Sequence, residues 1–274
     1  MDDPDFDKII SSLNKKNILN KEDILEIKNL HCMPKRLNLE NRRTLTNAGL
    51  LQLLGKCSAT LEDLNLDMTH ISGEGLESIP LLEQLEKVNF GNCENLKNAG
   101  LLQLLAKCSA TLKDLRLNGT KISGEGLESI PVLKQLEEIT LRFCKNLTNT
   151  GLLQVLTKCS ATLKDLDMCA TEISGEGLEG LPVMEQLEKL DLGDCKDLTT
   201  TGLLQLLAKC SATLEDLYLH RTQINGEILA DWIARHAPGK LRKLNLGDCR
   251  NVSAADGERI RTALPQCQVY LSHF

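Results

Sequence analysis

The feature that most limits this chain is a repeat. Residues 61–111, 112–162 and 163–213 are three near-copies of one 51-residue unit. Each copy divides into smaller repeats of 24 and 27 residues. The first reads L-x-x-L-x-L-x-x-T-x-I-S-G-E-G-L-E, carried by Leu61, Leu64, Leu66, Thr69, Ile71 and Leu76. The second reads L-x-x-[VIL]-x-[FL]-x-x-C-x-x-L, carried by Leu85, Val88, Phe90, Cys93 and Leu96, and runs on into G-L-L-Q-L-L-A-K-C. Counting from 34 gives nine repeats, with Pro34 in place of the first leading Leu and 27 residues in the eighth where 24 are expected. A period of this size marks stacked supersecondary units.

Within each repeat the local patterns differ. L-x-x-L-x-L alternates at period two, which predicts a short strand with Leu64 and Leu66 facing inward. Gly100–Cys108 carries apolar residues at i, i+3, i+4 and i+7, which predicts a helix with one buried face. Thr148 and Thr199 are placed to cap such helices, and Pro80, Pro131 and Pro182 to stop shorter ones. One strand and one helix cannot bury their own faces, whereas nine stacked copies can. The expected fold class is α/β, a solenoid with a parallel sheet on one side and helices on the other.

The phrase over about residues 34–271 resembles the leucine-rich-repeat family. The alternation Thr69, Cys93, Thr120, Cys144, Thr171, Cys195, Thr222, Cys249 is similar to its cysteine-containing class, known from F-box ubiquitin-ligase adaptors and related to ribonuclease-inhibitor-like proteins. The resemblance implies a horseshoe with the sheet on its concave side, and F-box adaptors hold substrates on that side. Open solenoids need caps. Residues 1–33 are expected to form a helical N-terminal cap, with Phe6, Ile9, Ile10 and Leu13 on one face and a second helix starting near Asn20 and Asp23. The repeat domain then spans 34–274, closed by a helix over 254–264 and a strand at Val269 and Leu271. Trp232, the single Trp, sits with Ile228, Leu229 and Ile233 on a helix and is read as core.

Composition excludes several classes. With 42% hydrophobic but 3% aromatic residues, small aliphatic layers must supply the core. A net charge of −6 gives no concentrated basic face, so no nucleic-acid partner is expected. No apolar run suits a membrane span, and the acidic start Met1-Asp2-Asp3 has no signal core, so a cytoplasmic monomer is expected. Eight of the eleven cysteines recur with the repeat, which reads as reduced thiols acting as small hydrophobes in the core.

Outward strand positions form columns. One runs Arg36, Asp63, Lys87, Asp114, Glu138, Asp165, Lys189, Asp216, Lys243, and its signs mostly alternate, as in a solvated ladder of weak ion pairs. Asp114, Glu138 and Asp165 break the alternation, with Arg116 and Arg142 beside them in neighbouring columns. These arginines either neutralise the acids or belong to a recognition patch. The three long copies differ mainly in the strands, at Asn65/Arg116/Asp167, Asn89/Thr140/Asp191 and Gly91/Arg142/Gly193, while helical phrases such as I-S-G-E-G-L-E and G-L-L-Q recur unchanged. Change concentrated on one surface is what a binding protein shows. The candidate contact surface is therefore Arg116, Glu138, Thr140, Arg142, Asp167, Asp191, Tyr218 and His220, joined by Phe143 if it ends its strand exposed.

No sequence motif for phosphate binding, hydrolysis or zinc occurs, and the G-E-G phrases read as turns opening short helices. Cys169 and His220 share a column two strands apart, about 10 Å at the backbone, which is too far for a nucleophile and its base. The expected function is a non-enzymatic scaffold that binds a protein through the concave face, without cofactor or metal. It would serve as a ubiquitin-ligase-type substrate adaptor or a bacterial effector, with an inhibitor or immune-recognition module of ribonuclease-inhibitor type as the alternative.

Overall fold

In a computed structural model, residues 34–271 are described. The expected N-terminal cap falls outside them. The chain divides into two compact units. One carries the described residues through Ile122 together with Gly126–Leu136, and the other carries Ser123–Glu125 together with the described residues from Glu137 on.

The first unit contains β1 (Arg36–Asn38), α1 (Asn47–Cys57), β2 (Asp63–Asn65), β3 (Lys87–Asn89), α2 (Asn98–Cys108) and β4 (Asp114–Arg116). Its strands are parallel and in register, so Arg36, Asp63, Lys87 and Asp114 form one row. The second unit contains β5 (Glu138–Thr140), α3 (Asn149–Thr157), β6 (Asp165–Asp167), β7 (Lys189–Asp191), α4 (Thr200–Cys210), β8 (Asp216–Tyr218), α5 (Gly226–His236), β9 (Lys243–Asn245), α6 (Ala254–Ala263) and β10 (Gln268–Tyr270). Its strands are likewise parallel neighbours in chain order. The closing helix and strand stand where the sequence places them, and Leu271 packs over Gly257 of α6.

Alternation and period explain the elements. The middle residue of β1 to β9, such as Leu64, Leu166 or Leu190, is buried, and its neighbours are more exposed except at Asp114 of β4. Each strand stops after three residues because the third residue beyond it enters the left-handed region. Asn41, Met68, Asn92, Phe143, Ala170, Asp194, Arg221 and Asp248 all have φ near +60°, as does Gly119. The turned N–H then bonds to the next repeat, as Met68 N–H does to the Gly91 carbonyl at 2.8 Å and Ala170 N–H to Gly193 at 2.8 Å. The shorter helices are single 3-10 turns at Leu76–Ser78, Leu127–Ser129 and Leu178–Gly180. Each is opened by a left-handed Gly and closed by an extended residue immediately before the proline.

Thr148 and Thr199 cap α3 and α4 through the Gly151 and Gly202 N–H groups, and Thr46 does the same for α1. At α2 the equivalent Lys97 provides no side-chain cap. On α5, Leu229, Trp232 and Ile233 are buried, but Ile228 is 47% exposed and does not share their face.

The cysteines are more than small hydrophobes. Thr69 Oγ1 donates to the Leu66 carbonyl at 2.7 Å, and Cys93 Sγ from the following repeat donates to the same oxygen at 3.0 Å. Thr171 and Cys195 converge in the same way on the Met168 carbonyl, and Thr222 and Cys249 on that of Leu219. The Thr–Cys alternation thus adds two side-chain donors to a buried carbonyl that already accepts the Thr N–H of its own turn, as the Leu66 carbonyl does from Thr69 at 3.1 Å.

Candidate functional site

The strands place their first and third residues on an open face in each unit. In the second unit the first-position row is Glu138, Asp165, Lys189, Asp216, Lys243, with Lys189–Asp165 at 2.8 Å and Lys243–Asp216 at 3.1 Å. A further row, one residue before each strand, carries as many pairs: Lys164–Glu137 and Arg242–Glu215 here, Lys35–Glu62 and Lys113–Glu86 in the first unit. That row is legible in the same columns and adds to the ladder. The two rows border a shallow groove of about 450 Å³ in the second unit, and a groove of about 380 Å³ lies on the sheet of the first.

The eight candidates divide between the two units. Arg116 lies in the first unit, where its Nε and Nη2 fork onto Asp114 at 3.2 and 2.9 Å. Asp114 is only 6% exposed, so this member of the ladder is not solvated. The other seven candidates lie in the second unit. Thr140, Asp167, Asp191 and Tyr218 form the third-position row in register. Arg142 reaches from β5 across this row to Asp167 Oδ2 at 3.0 Å and Asp191 Oδ2 at 3.8 Å. It therefore bridges two like charges that parallel pairing brings side by side.

His220 joins the same cluster through a missing side chain. A Cβ at Gly193 would lie 1.9 Å from His220 Cε1, so the imidazole occupies the space that glycine leaves open. Its Nδ1 is buried and makes no hydrogen bond. Tyr218 bends back along its own strand and donates from its hydroxyl to Asp216 at 3.3 Å. Glu138 faces Asp165 in register. Phe143 is exposed at 54%, with the Arg142 guanidinium 5.8 Å from its ring centroid.

Asp167 and Asp191 also have a structural role that the sequence columns do not reveal. Asp167 Oδ1 accepts from Cys169 N–H at 3.0 Å, and Asp191 Oδ1 from Gly193 N–H at 2.8 Å. Asn65, Asn89 and Asn245 make the same turn. Burial raises the Asp191 carboxyl above its usual range, and Asp167 adds to this against the opposing pull of the Gly193 N–H, His220 and Arg142. A carboxyl raised in the folded state favours folding below its unfolded pKa, and that contribution is lost as pH rises through the folded value. At neutral pH its charge is a burden. Asp191→Asn keeps the turn and should raise stability slightly, by about 0.5 kcal/mol at pH 7. The gain should shrink as the pH is lowered into the range where the wild-type carboxyl takes up its proton, as urea titrations at both pH values would read.

Cys169 is 4% exposed, and its thiol is pushed up to about 11 by burial, with Asp191 adding to the effect and Arg142 opposing it. A thiol so raised stays protonated at neutral pH, whereas a nucleophile requires the thiolate. Among the described residues no three His, Cys, Asp or Glu side chains are arranged to hold a metal ion.

Against known proteins, the family model for the leucine-rich repeat matches residues 57–79 and 108–130. Those segments run from a helix end through β2 or β4 to the 3-10 turn, the repeat described above. Two of the repeats thus match the leucine-rich repeat. It is 28% identical to the F-box/LRR-repeat protein 4 of Bos taurus over 80% of this chain and 32% of that one. It is 27% identical to the putative RNA-binding protein EEED8.10 of Caenorhabditis elegans over 91% of this chain and 35% of that one. The chain thus spans about a third of the length of these curated relatives. Among solved structures, the complex of Rad7 and Elc1 in yeast matches with a TM-score of 0.48 and 18% identity, over 86% of this chain and 68% of that one.

Proposed function

We propose that this chain is a non-catalytic scaffold that holds a partner protein on the open face of its sheet, as the substrate-holding part of a ubiquitin-ligase-type adaptor. One observation carries the reading. The near-identical 51-residue copies differ most at the outward strand positions and the residues just beyond them, while helical phrases such as I-S-G-E-G-L-E and G-L-L-Q recur. Stability accounts for the constancy of Leu, Gly and Cys. It does not account for Arg142, His220 and Tyr218 appearing on a face whose other positions are served by Asn, Asp and Gly. Likeness to an F-box/LRR-repeat protein favours an adaptor. Core thiols that serve as hydrogen-bond donors suit a reducing compartment, and the cytoplasm is the proposed location.

The test is quantitative affinity purification from source lysate with wild type and with a variant carrying Arg116→Ala, Arg142→Ala, Tyr218→Ala and His220→Ala, its fold checked by circular dichroism and thermal melting. The variant is expected to lose at least one stoichiometric partner that wild type retains, by about tenfold or more. Equal partner lists from the folded variant would move the site away from this face.

A further inference from the structure

The least explained residue in the second unit is Phe143. The left-handed position after each strand is filled at Asn41, Asn92, Asp194 and Asp248 by residue types that tolerate it, and at Gly119 by glycine. Phe143 occupies it at φ +60° with its ring 54% exposed. A bulky side chain in that conformation is strained, and an exposed ring forgoes burial. Its one ring contact among the described residues is the Arg142 guanidinium, itself half turned to solvent. Met68, Ala170 and Arg221 hold the same angle, but of the apolar side chains there Phe143 is the largest and the most exposed, 54% against 42% for Met68, and strain together with exposure is the mark of a residue kept for something outside the fold.

The surroundings specify the chemistry of that partner. Beside Phe143 two like-charged pairs stand in register, Glu138 with Asp165 and Asp167 with Asp191. Only two cations meet these carboxylates among the described residues: Lys189 on Asp165 at 2.8 Å, and Arg142 on Asp167 and Asp191. Glu138 makes no ion pair among the described residues, although Lys87 and Lys189 fill the equivalent place in other repeats. The patch is therefore short of positive charge at the Glu138 end and offers an apolar surface at the Phe143 end. The two lie five residues apart in sequence, so at most about 17 Å separates them.

We infer that this strip of the second unit docks an extended segment of a partner protein that sets an apolar side chain against Phe143 and a Lys or Arg against Glu138, roughly four or five residues apart. The inference rests on the sheet face being the binding face and adds which chemistry it selects. A phosphate-bearing chain would meet the same carboxylates unfavourably, so nucleic acid is the wrong occupant here.

Both ends can be removed without inventing a new environment. Phe143→Asn installs the residue type of Asn92, and Glu138→Lys that of Lys87 and Lys189. The full chain, immobilised, is used to select from a library of random peptides about ten residues long. Wild type and the Phe143→Asn, Glu138→Lys double variant are run in parallel. Labelled versions of the enriched peptides, their Glu-for-Lys/Arg counterparts and an oligouridylate are then titrated by fluorescence anisotropy. Wild type should enrich peptides with an apolar residue and a Lys or Arg at the stated spacing. Each single substitution should weaken them about tenfold, the change that 1.4 kcal/mol produces. Absence of enrichment, peptides indifferent to charge reversal, equal binding by the double variant, or preference for the oligouridylate would each overturn the inference. The wider reading fails separately, by equal partner lists in the affinity purification. If partners are lost there while basic peptides fail to bind, the face stands and the assigned chemistry does not.

Discussion

Gly202→Ala should lower the unfolding free energy by about 3 kcal/mol, although it adds a single methyl group to a helix, where alanine is ordinarily preferred. Gly202 lies in the first turn of α4, and a Cβ there would fall 2.2 Å from the Ser174 carbonyl oxygen and 2.7 Å from Gly175 Cα. Both obstacles are backbone. Neither can swing aside as a flexible side chain would, so the helix start must lift from the turn of the preceding repeat. That turn supplies the Ser174 carbonyl that accepts the Thr199 N–H at 3.1 Å, so the shift also strains an inter-repeat hydrogen bond. In a solenoid the interface between neighbours supplies much of each repeat's stability, so one opened contact weakens both sides. Gly55→Ala is the matched control. It is a helical glycine whose added Cβ would meet nothing within 4 Å, and Ala106 and Ala208 stand in its place in two other copies. It should gain about 0.5–1 kcal/mol. Urea unfolding followed by circular dichroism reads both. Equal midpoints for Gly202→Ala and wild type would show that the repeats are not held as closely as these contacts require.

The reason such a glycine is visible in the chain only as a recurring letter bears on what sequence can carry. The spacing of Leu64, Leu66 and Leu76 specifies strand, turn and inward face because burial depends on period alone, and period is written in the chain. Thr148 and Thr199 are legible as caps for the same reason, since a cap acts within three residues. Roles that act between repeats are not. That Cys93 shares a carbonyl with Thr69, that Gly193 makes room for His220, and that Asp167 and Asp191 hold backbone turns while sharing Arg142 all depend on which residues parallel pairing sets side by side and on rotamers within that pairing. The charge columns give the neighbours correctly but not the exposure, and so they cannot mark Asp114 as buried. Arg142, Asp167, Asp191 and His220 gather in the second unit, while Arg116 belongs to the first. Phe143, a bulky residue under local strain, stands out only through its backbone angle and exposure.

Trp232→Ala should cost about 3–5 kcal/mol, because removing a large buried ring forfeits its transfer energy and leaves a cavity. The ring is 9% exposed on α5, stacked on His236 with centroids 4.5 Å apart, while the His236 Nδ1–H is placed to donate to the Trp232 carbonyl at 2.9 Å. The indole and imidazole thus brace the last turn of α5, where the chain leaves the helix through a left-handed Ala237. α5 packs against both α4 and α6, so the loss should spread to the final repeats before it reaches the rest of the unit. Hydrogen exchange should show this as lost protection first in α5 and α6, at denaturant concentrations where β5–β7 remain protected. Trp232→Phe keeps most of the apolar volume and should cost less than half as much. The opposite reading makes the single Trp an interface anchor of the kind common at hot spots. An anchor would leave the urea midpoint of Trp232→Ala near that of wild type while partner binding fell. The two substitutions separate the readings because a core ring loses stability in proportion to the volume removed, whereas an anchor loses affinity without unfolding the helix that carries it.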